Sequence, residues 1–172
     1  MTRAGHEVRI IAGRGAELDD GTDFQPVRLL DSLAPEILGL KVALDNGLVP
    51  PELDPLSGSI ERELRQLLIG FDWLIAHNVC SLNKNLALTS AIWRITQRGG
   101  PRLMLWHHDL AWTTPRYRAE LHDGYPWDLL RTDWPQALQV TVSEARRQEL
   151  AALLQVPETR IHVIPNGIDD VP

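Results

Sequence analysis

Cysteine is almost missing from this 172-residue sequence, which contains only Cys80. One thiol cannot close an internal disulfide, and a zinc site built mainly from cysteines is excluded. A reducing, cytoplasmic setting is the default that follows. Positive charge is also scarce, with 17 Lys and Arg against 23 Asp and Glu and a formal net charge of -6. That balance disfavours a sequence-independent grip on nucleic-acid phosphates. No run approaches the roughly 18 consecutive apolar residues needed to span a bilayer, while peripheral contact with a membrane surface stays open. The first six residues carry no apolar core behind their charge and do not read as a signal peptide. Internal repeats and low-complexity stretches are absent too. At 44% hydrophobic and 23% charged residues, the composition is that of one globular domain with a substantial core.

Short apolar runs alternate with amphipathic stretches along the chain. The organising run is 102–110, RLMLWHHDL, with a strand over 103–106 that passes directly into His107, His108 and Asp109. A fully apolar strand of this length suits the interior of a parallel sheet covered by helices on both faces. In such sheets the ligand crevice opens beyond the carboxyl ends of the strands, where these two imidazoles and the carboxylate fall. Further strands are expected over 8–12, 26–30, 71–76, 138–142 and 160–164, with a turn at Asp19-Asp20-Gly21. Helices are expected from Ile60 onward after Gly58-Ser59, over 83–97, and over 144–154 with Ser143 as N-cap. The 34–56 stretch, broken by Pro35, Pro50, Pro51 and Pro55, reads as irregular. The long connection 111–137 is expected to hold short helices. Strands alternating with helices, without hairpin signals, indicate an α/β fold with a doubly wound, mostly parallel, Rossmann-like sheet.

Three stretches carry a family resemblance: Gly5-His6-Glu7-Val8 entering a strand, His107-His108-Asp109-Leu110 ending the central one, and Val140–Glu144 (VTVSE) followed by RIHVIPNGID at 160–169. Together they resemble the amino-terminal domain of GT-B retaining glycosyltransferases of family four. The resemblance implies one half of a GT-B fold over 1–165, with 166–172 opening the interdomain linker. It also implies an incomplete amino-terminal side, because the family places a strand between the Val8 strand and the Phe71 strand that has no counterpart here. Without that common neighbour, the two halves of the sheet are expected to separate and leave backbone groups unpaired. The family's second domain, which holds most of the nucleotide-sugar donor, has no counterpart either. The chain therefore reads as a fragment of a hexosyl-transferring enzyme, inactive alone. Its alternative is a non-catalytic half that binds an acceptor or a separately encoded donor domain. A sugar-nucleotide epimerase of similar architecture fits the P-N-G-I-D run less well.

On this resemblance His108 is the candidate catalytic residue, reaching toward the transferred sugar. His77 and Asn78, ending the adjacent strand, His107, Asp109 and Trp112 are candidate substrate-binding residues. His107 would point to the opposite face if the strand continues through it, and Asp109 could orient His108 or cap the next segment. The rings of Trp112, Tyr117, Tyr125, Trp127 and Trp134 suit either sugar stacking or stapling of the connection to the core. Arg116, Arg118 and Arg131 could meet a phosphate or carboxylate on an acceptor. Asn166 and Gly167 are read as the interdomain turn. No metal and no cofactor are expected: His77, His108 and Asp109 lack a close-spaced ligand pair on one helix. The partners implied are a sugar-containing acceptor, a nucleotide-sugar donor and a second-domain partner.

Overall fold

The computed structural model describes residues 1–16 and 21–167. The Asp19-Asp20 part of the expected turn and the chain from Ile168 to Pro172 lie outside the described residues. Chain order is β1 (Arg9–Ala12), β2 (Asp23–Pro26), α1 (Pro35–Asp45), α2 (Leu53–Leu67), β3 (Trp73–His77), α3 (Leu86–Gln97), β4 (Arg102–His107), β5 (Ala137–Thr141), α4 (Glu144–Leu154) and β6 (Ile161–Val163). Three 3-10 helices, Ala111–Thr113, Pro115–Glu120 and Trp127–Leu130, fill the long connection after β4, as its length suggests.

All strand pairs are parallel, and they form two sheets. One contains β1 and β2, with Arg9 opposite Asp23 and Ala12 opposite Pro26. The other runs β3-β4-β5-β6 in sequence order. Among the described residues no backbone hydrogen bond joins β1 to β3, so each keeps one edge without a ladder partner. This is the division that the family resemblance implies. The two sheets nevertheless share one core. Ile11 of β1, Leu29 and Leu30 after β2, and Leu74 and Ala76 of β3 all pack in the same apolar cluster as α1, α2 and α3.

The helices start earlier than proline counting suggests. Pro35 takes the first position of α1, where its missing N–H is no loss. Pro55 sits in the first turn of α2 for the same reason. The Ser57-Gly58-Ser59 stretch is therefore helix interior, with the Ser57 hydroxyl donating to the Leu53 carbonyl at 2.7 Å. The buried stripe Leu53, Ile60, Leu64 extends the periodicity read from Ile60 onward. The strand expected over 26–30 is displaced to Asp23–Pro26, and Arg28–Leu30 forms a single 3-10 turn instead. In α3 the side-chain oxygen of Asn85 accepts from Leu88 N at 3.0 Å, which sets the start at Leu86 instead of Asn83. In α4, Ser143 caps as expected and accepts from Arg146 N. Burial along β4 alternates: Leu103, Leu105 and His107 are buried, while Met104 and Trp106 are half-covered. This strand is therefore sealed on one face only, not on both.

Trp134 anchors the long connection to the core. It is 1% exposed, meets Trp93 edge-to-face at 5.0 Å and donates from its indole nitrogen to Leu129 O at 3.1 Å. Replacing it by alanine is expected to cost about 3–5 kcal/mol, read as a lower urea midpoint at unchanged slope. A loss below about 1 kcal/mol would show that the connection does not depend on this ring.

Candidate functional site

The β3 and β4 ladders end side by side, with His77 opposite Trp106. One residue further on, Asn78 adopts φ 55°, in the left-handed region that asparagine tolerates better than most residues. This turn lets Asn78 N donate to Trp106 O at 2.7 Å. It also aims the side-chain oxygen at two backbone donors, His108 N at 3.0 Å and Asp109 N at 3.2 Å. Asn78 thus clips the end of β4 to the end of β3. Its oxygen is committed to the backbone and is not free to accept from a substrate.

The clip brings His77 and His108 together. Their Nε2 atoms lie 3.2 Å apart, with ring centroids at 4.7 Å in an edge-on arrangement. One imidazole donates and the other accepts, so the contact needs at least one neutral ring. The Trp106 ring flanks His77 at 5.7 Å. Partial burial, followed by the adjacent His108, pushes the His77 pKa down. Asp109 lies 3.6 Å from the Arg146 guanidinium of α4, which also pairs with Glu149.

His107 does not share this surface. It points to the sealed face, is 4% exposed, and donates from Nε2 to Oε1 of Gln139 on β5 at 2.8 Å. Burial moves its pKa down to about 4, with a smaller push from His108 and opposition from the Gln139 bond. Strand alternation turns it inward, away from the surface on which His77 and His108 meet. Trp112 is likewise engaged within the connection. Its indole donates to Trp127 O at 3.2 Å, and the Arg131 guanidinium covers its ring at 3.9 Å. Arg131 is held in turn by Asp123 at 2.6 Å and Asp128 at 2.7 Å, which removes it as an anion ligand. Asn166 and Gly167 are exposed after β6. Cys80 is buried, and burial raises its thiol pKa.

Three contributors were missed from sequence: Gln139, Arg146 as the partner of Asp109, and Lys84 beside Tyr117. A glutamine inside the apolar strand 137–141 was a readable signal for the first; the other two needed the fold. Two concavities lie elsewhere. One of about 420 Å³ is at Phe71 and Arg102, by the amino ends of β3 and β4, and one of about 630 Å³ lies between α1 and the 50–56 segment. The histidine pair stands on an open face, as one wall of a larger site would.

A parallel α/β domain with polar side chains gathered at its strand carboxyl ends belongs to the Rossmann-like class. The glycosyltransferase family 4 model matches residues 1–171. The chain belongs to that family, as the amino-terminal domain of a GT-B fold. A search of curated proteins finds no match.

Two outcomes follow from this geometry. Asn78→Ala removes the acceptor for two N–H groups in a left-handed turn and is expected to cost about 2–3 kcal/mol. Amide exchange should then quicken at His108 and Asp109. Unchanged exchange there would show that the strand end holds without the clip. For His107 the unfolded chain binds the proton more tightly than the folded one. Stability is therefore expected to fall as pH drops from about 6.5 toward about 4. The slope of urea stability against pH should flatten over that window in His107→Gln; an unchanged slope would sink the assignment.

Proposed function

We propose that this chain forms the acceptor wall of a retaining glycosyltransferase that moves a hexosyl group from a nucleotide-sugar donor. The observation that carries this reading is the convergence of His77 and His108 at the carboxyl ends of adjacent strands in a family 4 domain. His108 contacts the transferred sugar, and His77 lines the acceptor side. An imidazole donor fixed by the Asn78 clip stabilises charge that develops as the bond from sugar to phosphate breaks, without reorganising at that moment. Donor phosphates fall to a second domain across the cleft, Asn166 and Gly167 lie at the turn toward it, and the reaction takes place in the cytoplasm.

With the donor phosphates assigned to a second domain, the 172-residue chain alone is expected to turn over no nucleotide sugar. In the polypeptide or complex that unites it with a donor domain, His108→Ala should lower kcat by about 10²–10³-fold, measured by release of free nucleotide. Full activity in that variant would remove His108 from the reaction. Turnover by the isolated chain, abolished in His108→Ala, would instead place the whole reaction here.

A further inference from the structure

We propose that Lys84, Arg116 and the Tyr117 hydroxyl form a binding subsite for a phosphate or diphosphate group. Its assignment to the acceptor rests on the transfer reading above; the subsite itself does not. Lys84 belongs to the segment after β3, and Arg116 and Tyr117 to the 3-10 helix Pro115–Glu120 after β4. Both therefore sit at the carboxyl end of the sheet, the end that carries His77 and His108. The Lys84 ammonium lies 4.8 Å from the Tyr117 ring centroid, and the Arg116 guanidinium lies 4.6 Å from the same centroid. Two cations thus share one aromatic ring, each attracted by its π face.

Among the described residues neither Lys84 nor Arg116 has an acidic group within ion-pair distance, although Arg131 in the same connection has two. The carboxylate that feels Lys84 is Glu120. Its Oε2 is already bonded by Lys41 at 3.0 Å and by Asn83 at 2.7 Å. In a chain of net charge -6, two exposed cations over one ring, neither in an ion pair among the described residues, form a local exception. Tyr117 completes the set. The residue is 4% exposed, and its oxygen accepts from Arg116 Nη2 at 2.7 Å, which leaves the phenolic proton to donate. A phosphate offers several acceptor oxygens and more than one charge, which matches two cations and one O–H donor. A single carboxylate would leave one cation unanswered.

The test uses the chain itself and needs no transfer activity, so failure of the glycosyl-transfer reading leaves it intact. Inorganic pyrophosphate is titrated at 0.1 M salt and followed by calorimetry and by the side-chain NMR signals of Arg116 and Lys84. Saturable binding is expected at millimolar concentration or below. Lys84→Gln and Arg116→Gln should each weaken it at least about fivefold, and Tyr117→Phe, which keeps the ring, about twofold or more. Arg118→Gln removes the same charge from the same short helix and should change it less than about twofold. All four positions can be checked for folding by circular dichroism. Absence of saturable binding would overturn the proposal, as would an Arg118→Gln loss equal to that of Arg116→Gln. Sedimentation with phosphatidic acid vesicles, lost in Arg116→Gln, places the phosphate on a lipid acceptor; no sedimentation places it on a soluble one.

Discussion

The histidine wall depends on one amide side chain. Strand ends in a parallel ladder leave backbone N–H groups with nowhere to go, and a buried donor left unpaired costs about 1–3 kcal/mol. Asn78 answers three groups at once. Its N–H satisfies Trp106 O, and its side-chain oxygen satisfies the next two donors along β4. The left-handed turn is what makes this arrangement reachable. Alternation then settles the rest. With His107 locked inward on Gln139, His108 must leave the strand on the outer side, where His77 waits. Positioning of the histidine pair is thus a backbone problem solved at the residue that follows His77.

The amino-terminal half is attached by different means. No ladder joins β1 to β3 among the described residues, so side chains and shared packing hold the β1–β2 pair in place. Arg9 is the main link. Its guanidinium bonds Asp23 across the pair at 2.6 Å, reaches the Leu67 carbonyl at the end of α2 at 2.6 Å, and covers the Phe71 ring at 4.9 Å. Asn85, at the cap of α3, donates to Leu29 O at 2.9 Å. An isolated two-stranded sheet is marginal in water. Ile11, Leu29 and Leu30 therefore owe their order to the core beneath them.

Much of this could be read in the sequence. Apolar runs and their order placed β1, β3, β4, β5 and β6 to within a residue or two, because a parallel strand announces itself by an unbroken apolar stretch. Ser143 and its helix followed from capping chemistry alone. The failures have specific causes. Proline was read as a breaker at Pro35 and Pro55, but the first turn of a helix has no use for those N–H groups. The stripe from Leu53 to Leu64 therefore began one proline earlier than expected. Of the residues singled out for the site, His77 and His108 meet, while His107 and Trp112 are turned inward or covered. Adjacent positions on a strand point to opposite faces, so a His-His pair cannot deliver both rings to one crevice. The role of Asn78 needed a backbone angle that no pattern of residue types reveals.

Charge placement in the 111–136 connection shows why proximity in sequence misleads about ligands. Arg116 and Arg131 look equivalent as isolated arginines beside aromatics. Arg131 is flanked by Asp123 and Asp128, both within reach, and its guanidinium is neutralised where it lies over Trp112. It serves as a strap. Arg116 lies over Tyr117, as does Lys84, and among the described residues neither forms an ion pair. Burial holds His107 neutral at ordinary pH, so its ring contributes little field. Lys84 and Arg116 are cations at this end of the sheet that form no ion pair among the described residues. Exposed charges farther off than about 10 Å are screened at ordinary salt, so the acidic balance of the whole chain does not cancel them. An acidic protein can in this way present a locally basic wall.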